Sequence, residues 1–278
     1  MRKLLLAAAV KAMLGVMLAA VPRANAGTAA RPLPNSMAAI GDSVSQAFDD
    51  CCYYGNHPQD SWSTGWLYPL DGVDSHYARI LAANRSIAGR VHDDAVAGAK
   101  VGGIGAQVEQ AISQKARYVT ILIGANDVCT SSISTMTPAG TFASHFAEPM
   151  KTLEAGLPPR TPVFVSSIPN IYHLWSVLRS NPIAEVVWYG AGICQSMLSP
   201  FNSETARQMV LARVNADNGA LAAVCQRYPD CKWDGYATYN YQFTAGQISS
   251  LDYFHPNLRG QAALAAETWK SSWWSTVK

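Results

Sequence analysis

Charge is scarce in this 278-residue chain, where Asp, Glu, Lys and Arg together make up 14% against 49% hydrophobic residues. The whole-chain formal charge is only +2, which gives no electrostatic footprint for nucleic acid or anionic lipid. No serine sits in a Gly-x-Ser-x-Gly, which argues against the nucleophile elbow of α/β-hydrolases. The glycine-rich stretch 98–105 does not spell Gly-x-Gly-x-x-Gly, which argues against a dinucleotide site. No two cysteines stand at C-x2-C spacing and no histidine pair accompanies them, so a zinc site has little support. Internal repeats and low-complexity tracts are missing, and the longest charge-free apolar run, residues 12–22, is too short to span a bilayer.

What is present begins with an export-like leader. Arg2 and Lys3 precede an apolar stretch interrupted by Lys11, and Ala24-Asn25-Ala26 offers a small-residue cleavage site. Residues 1–26 are therefore expected to be a secretory signal peptide and 27–278 one globular domain, with no stable membrane anchor. Removing the leader takes away Arg2, Lys3, Lys11 and Arg23, so 21 Lys and Arg against 19 Asp and Glu become 17 against 19, a net −2. All six cysteines lie beyond the leader, and in an oxidising compartment six thiols suggest three disulfides. Cys225 with Cys231 closes a short loop, and Cys129 with Cys194 is the next pairing. That leaves Cys51 beside Cys52, whose α-carbons stand about 3.8 Å apart where a disulfide usually takes about 4.4 Å or more. A strained vicinal bridge and a re-pairing both remain open.

Short apolar runs alternate with longer segments of helical period. Residues 36–40, 95–97 with their approach, 118–123 and 162–168 read as buried strands. Ile104, Val108, Ala111 and Ile112 form one helical stripe, and further helices fit 142–153, 206–228 and 258–269. Such alternation predicts an α/β fold, a three-layer α/β/α sandwich around a central parallel sheet. Ligands of such sheets bind beyond the carboxyl ends of the strands.

Three polar motifs follow apolar runs. In Gly41-Asp42-Ser43 a strand stops at a glycine and presents a serine; the turn exposes the hydroxyl and leaves the Ser43 N–H free for an oxyanion. Alone, this is equally well a turn with a helix cap. In Gly124-Ala125-Asn126-Asp127 the Asn126 amide can point at the same place, whereas Asp127 reads better as a cap. Asp252-Tyr253-Phe254-His255 sets a carboxylate three residues before a histidine, a spacing that lets the acid orient the ring while its other nitrogen faces the serine. Other acids, Asp42 and Asp127 among them, lie near enough in sequence to these motifs to compete for that role.

These blocks resemble those of the SGNH (GDSL-type) hydrolases, from Gly41-Asp42-Ser43 through Gly98 and Gly124-Ala125-Asn126-Asp127 to Asp252–His255, and closest among them the disulfide-bearing secreted esterases. The resemblance covers nearly the whole chain beyond the leader. It implies an SGNH, flavodoxin-like sheet with Ser43 as nucleophile, His255 as base and Asp252 behind it. The oxyanion donors it implies are the Ser43 N–H, the Gly98 N–H and the Asn126 side chain; Gly98 follows from the resemblance alone. Adjacent Cys51-Cys52 and Lys100 beside Gly98 depart from the pattern.

The function expected is that of a secreted, monomeric serine esterase or lipase acting on small-molecule or lipid esters, with no metal or organic cofactor required. An O-acetyl carbohydrate esterase and a catalytically silent binding protein are the alternatives. Two long segments, 45–90 and 169–200, are expected to fold over the site. Their aromatics, among them Tyr53, Tyr54, Trp62, Trp66, Tyr68, Tyr172, Trp175, Trp188 and Tyr189, are expected mainly to pack those segments down.

Overall fold

The computed structural model describes residues 31–277, so the expected leader lies outside the described residues. Five strands, β1 (Met37–Gly41), β2 (Val91–Asp93), β3 (Val119–Leu122), β4 (Val163–Val165) and β5 (Cys231–Trp233), form one all-parallel sheet in the order β2-β1-β3-β4-β5. Ten α-helices accompany them: α1 (His76–Ala83), α2 (Gly105–Ser113), α3 (Ala125–Val128), α4 (Ala139–Gly156), α5 (Ile171–Leu178), α6 (Pro182–Gly190), α7 (Gln195–Leu198), α8 (Glu204–Cys225), α9 (Ala237–Asn240) and α10 (Leu258–Lys270).

β1, β3 and β4 are buried along their whole length, as strands covered on both faces must be. On one face α2, α4 and α8 pack together, α2 against β1 and α8 against β4 and β5. On the other, His76 of α1 lies against Phe164 of β4 and Trp269 of α10. The result is the three-layer α/β/α sandwich. Each fully buried Ile, Leu or Phe in these layers contributes about 1.5–3 kcal/mol from removal of apolar surface from water.

Side-chain caps begin the helices where the sequence offers them. Ser75 accepts from the Ala78 N–H, Ser203 from Ala206, Asn257 from Gly260 and Asn170 from His173, each satisfying an otherwise orphaned N–H.

Two sheet assignments need correction. The second strand lies at Val91–Asp93, in the approach to 95–97, and 95–97 itself is loop. The Asp94 and Val96 N–H groups still reach the Ala39 and Gly41 carbonyls at 2.9 and 3.1 Å. The Ala95 N–H, on the side away from β1, is taken by the Asp93 carboxylate at 3.2 Å. The edge strand β5 has no separate apolar run to announce it: Cys231-Lys232-Trp233 is half-buried and is a strand because it pairs with β4. Helices α4 and α8 begin a few residues earlier than periodicity predicts, where Pro138 and Ser203 set their starts.

Cys129–Cys194 and Cys225–Cys231 are bridged as expected. The third bridge is not formed: Cys51 and Cys52 are free, in keeping with the short reach between neighbouring α-carbons.

Candidate active site

The strand order reverses at β1, whose neighbours are β2 on one side and β3 on the other. This is the topological switch point where an open parallel sheet forms its crevice, and two of the three sequence motifs emerge there.

The first begins at Gly41, the last residue of β1. A Cβ at this position would stand 2.4 Å from the Leu122 carbonyl oxygen and 2.7 Å from Ser45 Oγ, so only glycine fits between β1 and β3. Gln107 of α2 fixes the strand end from both sides, accepting from the Gly41 N–H at 2.8 Å and donating to the Gly41 carbonyl at 3.0 Å. Beyond it, Asp42 accepts from the Val44 N–H at 3.0 Å while its carbonyl accepts from Ser45 and Gln46. The chain thus turns tightly around Ser43, whose own N–H has no acceptor among the described residues. Burial pushes the Asp42 carboxyl up to about 7 against the opposing pull of the Val44 N–H and His255.

The second motif leaves β3 through Gly124, at φ +121°, where a Cβ would collide with Ile168 Cδ1 at 2.5 Å. Ile168 is itself clamped by Asn218 of α8, which accepts from its N–H at 2.8 Å and donates to its carbonyl at 3.3 Å. Two amide side chains therefore hold the ends of β1 and the turn after β4. Asn126, at the start of α3, donates from Nδ2 to the Ala99 carbonyl at 3.0 Å, which leaves its second amide hydrogen free. Gly98 lies on the facing loop at φ +80° and, with Ser43 and Asn126, lines one cleft.

Asp127 does not cap its own segment. It lies inside α3 and accepts from the Val101 N–H at 2.9 Å and Thr137 Oγ1 at 2.7 Å, so it ties the loop carrying Gly98 to the loop after β3. Lys100 is exposed.

The third motif follows β5 and α9. Asp252 Oδ1 accepts from the Phe254 and His255 N–H groups at 2.8 and 3.1 Å, and Oδ2 faces His255 Nδ1 at 2.5 Å. Burial works to raise the Asp252 pKa, but the hydrogen bond and charge of His255, with those two N–H groups, outweigh it and hold the carboxyl below its ordinary value. The turn passes through Tyr253 at φ +57°. Trp188 of α6, fully buried, donates from Nε1 to the Tyr253 carbonyl at 3.0 Å, and the Ser249 N–H donates to the His255 carbonyl at 2.8 Å. The Phe48 ring lies 5.2 Å from the imidazole. His255 Nε2 then stands 2.8 Å from Ser43 Oγ.

Ser43, His255 and Asp252 thus form one hydrogen-bonded line, and neither Asp42 nor Asp127 occupies the place behind His255. Such a line can move the serine proton to Nε2 while the carboxylate steadies the imidazolium. The Ser43 N–H, which has no acceptor among the described residues, Asn126 with its free amide hydrogen and Gly98 border the same cleft. The sequence did not single out Gln107 or Asn218, and named Trp188 only as a packing aromatic, because their partners are backbone groups 50 or more residues away.

Trp62 and Trp188 are fully buried and Trp175 nearly so, whereas Tyr53, Tyr54, Trp66, Tyr68 and Tyr189 are exposed. The packing expectation for the loop aromatics therefore holds for the tryptophans other than Trp66 and fails for those tyrosines.

A parallel sheet carrying serine, imidazole and carboxylate at its carboxyl edge has the arrangement of serine-type ester hydrolases. The pattern of the GDSL-like Lipase/Acylhydrolase family matches residues 37–268, and the chain belongs to that family. Among solved structures it is similar to TesA, at 16% identity and TM-score 0.50 over 85% of this chain and 97% of that one. It is also similar to an acetyl xylan esterase from Geobacillus stearothermophilus, at 15% identity and TM-score 0.50 over 85% and 93%. The acetyl xylan esterase AlAXEase resembles it at 15% identity and TM-score 0.51 over 84% and 98%. At such identities the likeness is one of fold. No curated protein sequence matches the chain.

Proposed function

We propose that this chain is a secreted serine esterase acting on acyl esters of small-molecule or lipid alcohols, as a monomeric domain beginning near Gly27. Ser43 attacks the ester carbonyl and its proton passes to His255 Nε2. The Ser43 N–H, Gly98 N–H and Asn126 Nδ2 hold the oxyanion, and Asp252 keeps the imidazole oriented. The leaving alcohol takes the proton from His255, and water, activated by the same histidine, releases the acid from Ser43. The observation that carries this reading is the 2.8 Å contact between Ser43 Oγ and His255 Nε2 with Asp252 behind it. Export is supported by the two disulfides, which belong to an oxidising compartment. Among the described residues no helix is long and apolar enough to cross a membrane.

The acyl preference rests on the walls beside Ser43. A narrow cleft of about 40 Å³ is lined by Val44, Ile171, Leu174, Phe243, Ile248 and Phe254, and its apolar walls suit a short acyl group. A wider one of about 460 Å³, bordered by Phe48, Tyr54, Gly98 and Val187, is left for the alcohol. A deacetylase of carbohydrates is the second reading, favoured by exposed Tyr54 at the rim of that wider cleft, a ring on which a sugar can stack.

The test is hydrolysis of nitrophenyl esters from acetate to palmitate, and of acetylated xylan, by the wild type and Ser43→Ala. A serine-reactive phosphonate with intact-mass analysis accompanies it. Turnover and a single adduct in the wild type, both lost in the variant, are expected, with short acyl chains preferred to palmitate. Preference for acetylated xylan selects the second reading, and no turnover with no adduct selects a silent binding protein.

A further inference from the structure

The loop behind His255 gathers groups that the ester chemistry does not use. Asp50, Cys51, His57 and Asp60 each bring one ligand atom to within 4.8 Å of the others. Asp50, His57 and Asp60 are buried and Cys51 half-buried. His57 Nδ1 faces Asp50 Oδ1 at 2.6 Å and Cys51 Sγ at 3.8 Å. Two buried atoms of this cluster have no partner at all, His57 Nε2 and Asp50 Oδ2. Among the described residues no lysine or arginine pairs with Asp50 or Asp60. Two carboxylates and an imidazole are thus buried beside a half-buried thiol with no lysine or arginine paired to them, an arrangement that costs several kcal/mol unless its charges are paired or metal-bound.

We propose that Asp50, Cys51, His57 and Asp60 bind one zinc ion. Sulfur and nitrogen beside oxygen disfavour calcium and magnesium, which take oxygen ligands, and suit a borderline cation. A tetrahedral zinc with bonds of about 2.0–2.3 Å sets its ligand atoms about 3.2–3.8 Å apart, so atoms now up to 4.8 Å apart need close by about 1.0–1.6 Å at most. On binding, the Cys51 thiol proton leaves to solvent, and the thiolate, the carboxylates and the neutral imidazole, which keeps one N–H, become the ligands. The ligands lie close together, between positions 50 and 60, but with no C-x2-C and a single histidine among them they spell no zinc motif.

The ion acts on structure. Asp49 Oδ1 accepts from the Gly55 N–H at 2.7 Å, and the Asp49 carbonyl accepts from Ser249 Oγ, so the loop is fastened to the segment that carries Asp252 and His255. A bound ion cross-links residues 50–60 beneath that segment without touching Ser43 or His255. The site stands independently of the ester-hydrolase reading.

The test uses the purified protein, thiols reduced, titrated with Zn²⁺ against a chromophoric chelator and separately with Co²⁺. One zinc per chain is expected, with a thiolate-to-cobalt charge-transfer band that persists in Cys52→Ser and vanishes in Cys51→Ser. Zinc should raise Tm by several degrees in the wild type and Cys52→Ser but not in His57→Gln. Phosphonate labelling of Ser43 and circular dichroism report whether the variants fold, and the wild-type cobalt spectrum decides the matter if they do not. No stoichiometric metal after reduction, or a cobalt band that survives in Cys51→Ser or follows Cys52, overturns the proposal. So does a Cys51–Cys52 disulfide, two mass units lighter, that reduction does not open.

Discussion

Ser43 Oγ lies 2.8 Å from His255 Nε2, although 212 residues separate them along the chain. The serine is held by a turn pinned to β1 through Gln107, and the histidine by a turn pinned through Asp252 and Trp188. The contact therefore depends on two locally rigid turns and on the sheet that sets their separation.

Because Asp252 takes three hydrogen bonds, two of them from backbone, Asp252→Asn should keep the turn and lose the charge. A fall in kcat of up to about 10⁴ is expected, from the wrong imidazole tautomer, with phosphonate labelling slowed in parallel. Nearly full activity in this variant would remove Asp252 from the mechanism and leave Ser43 and His255.

Asn126→Ala removes a donor to the oxyanion and the bond to the Ala99 carbonyl. A loss of about 2.7–4 kcal/mol of barrier stabilisation, about 10²–10³ in kcat, is expected with KM changed little. Steady-state kinetics on one nitrophenyl ester separate the two parameters; an effect confined to KM would make Asn126 a substrate-positioning residue.

Leu174 is partly buried on the wall of the narrower cleft. Filling that cleft with Leu174→Trp should lower turnover of octanoate and palmitate relative to acetate by about tenfold or more, the scale on which apolar pockets discriminate. An unchanged acyl ratio would place the chain in the wider cleft.

Asp217 of α8 is fully buried with neither carboxylate oxygen partnered, and burial pushes its pKa up to about 7 despite Arg213. A carboxyl raised in the folded state binds a proton there that the unfolded chain has released. Stability therefore falls as pH rises from the unfolded value near 3.8 toward about 7. Asp217→Asn, neutral throughout, should match the wild type near pH 4 and exceed it above pH 7 by about 1 kcal/mol or more, about 2–4 °C in Tm. Thermal melts across pH check this, and a constant difference would show that Asp217 does not titrate in the fold.

How far the site was legible follows from the kind of signal each residue carries. Ser43, Asn126, Asp252 and His255 each sit in a short motif after an apolar run or before a capped helix, so composition and spacing over a few residues point to them. Gly98 was reached only through family resemblance, since nothing local separates it from other loop glycines until its positive φ and the facing Asn126 are seen. Asp127 was misread as a local cap because its true partners, Val101 and Thr137, come from other segments.

The alternation of apolar runs with helical stripes determined by itself that the chain makes a parallel α/β sandwich, and the three polar motifs pointed to a serine, an amide and an acid–histidine pair at its edge. Both are local patterns, set by periodicities of two and 3.6 residues and by turn and cap preferences. Tertiary structure alone decided that β2 stops at Asp93, that Cys231–Trp233 is a strand and that Cys51 turns toward His57. It also decided which clefts lie beside Ser43. Those outcomes rest on hydrogen bonds and contacts between distant segments, whose geometry exists only once the sheet has brought them together.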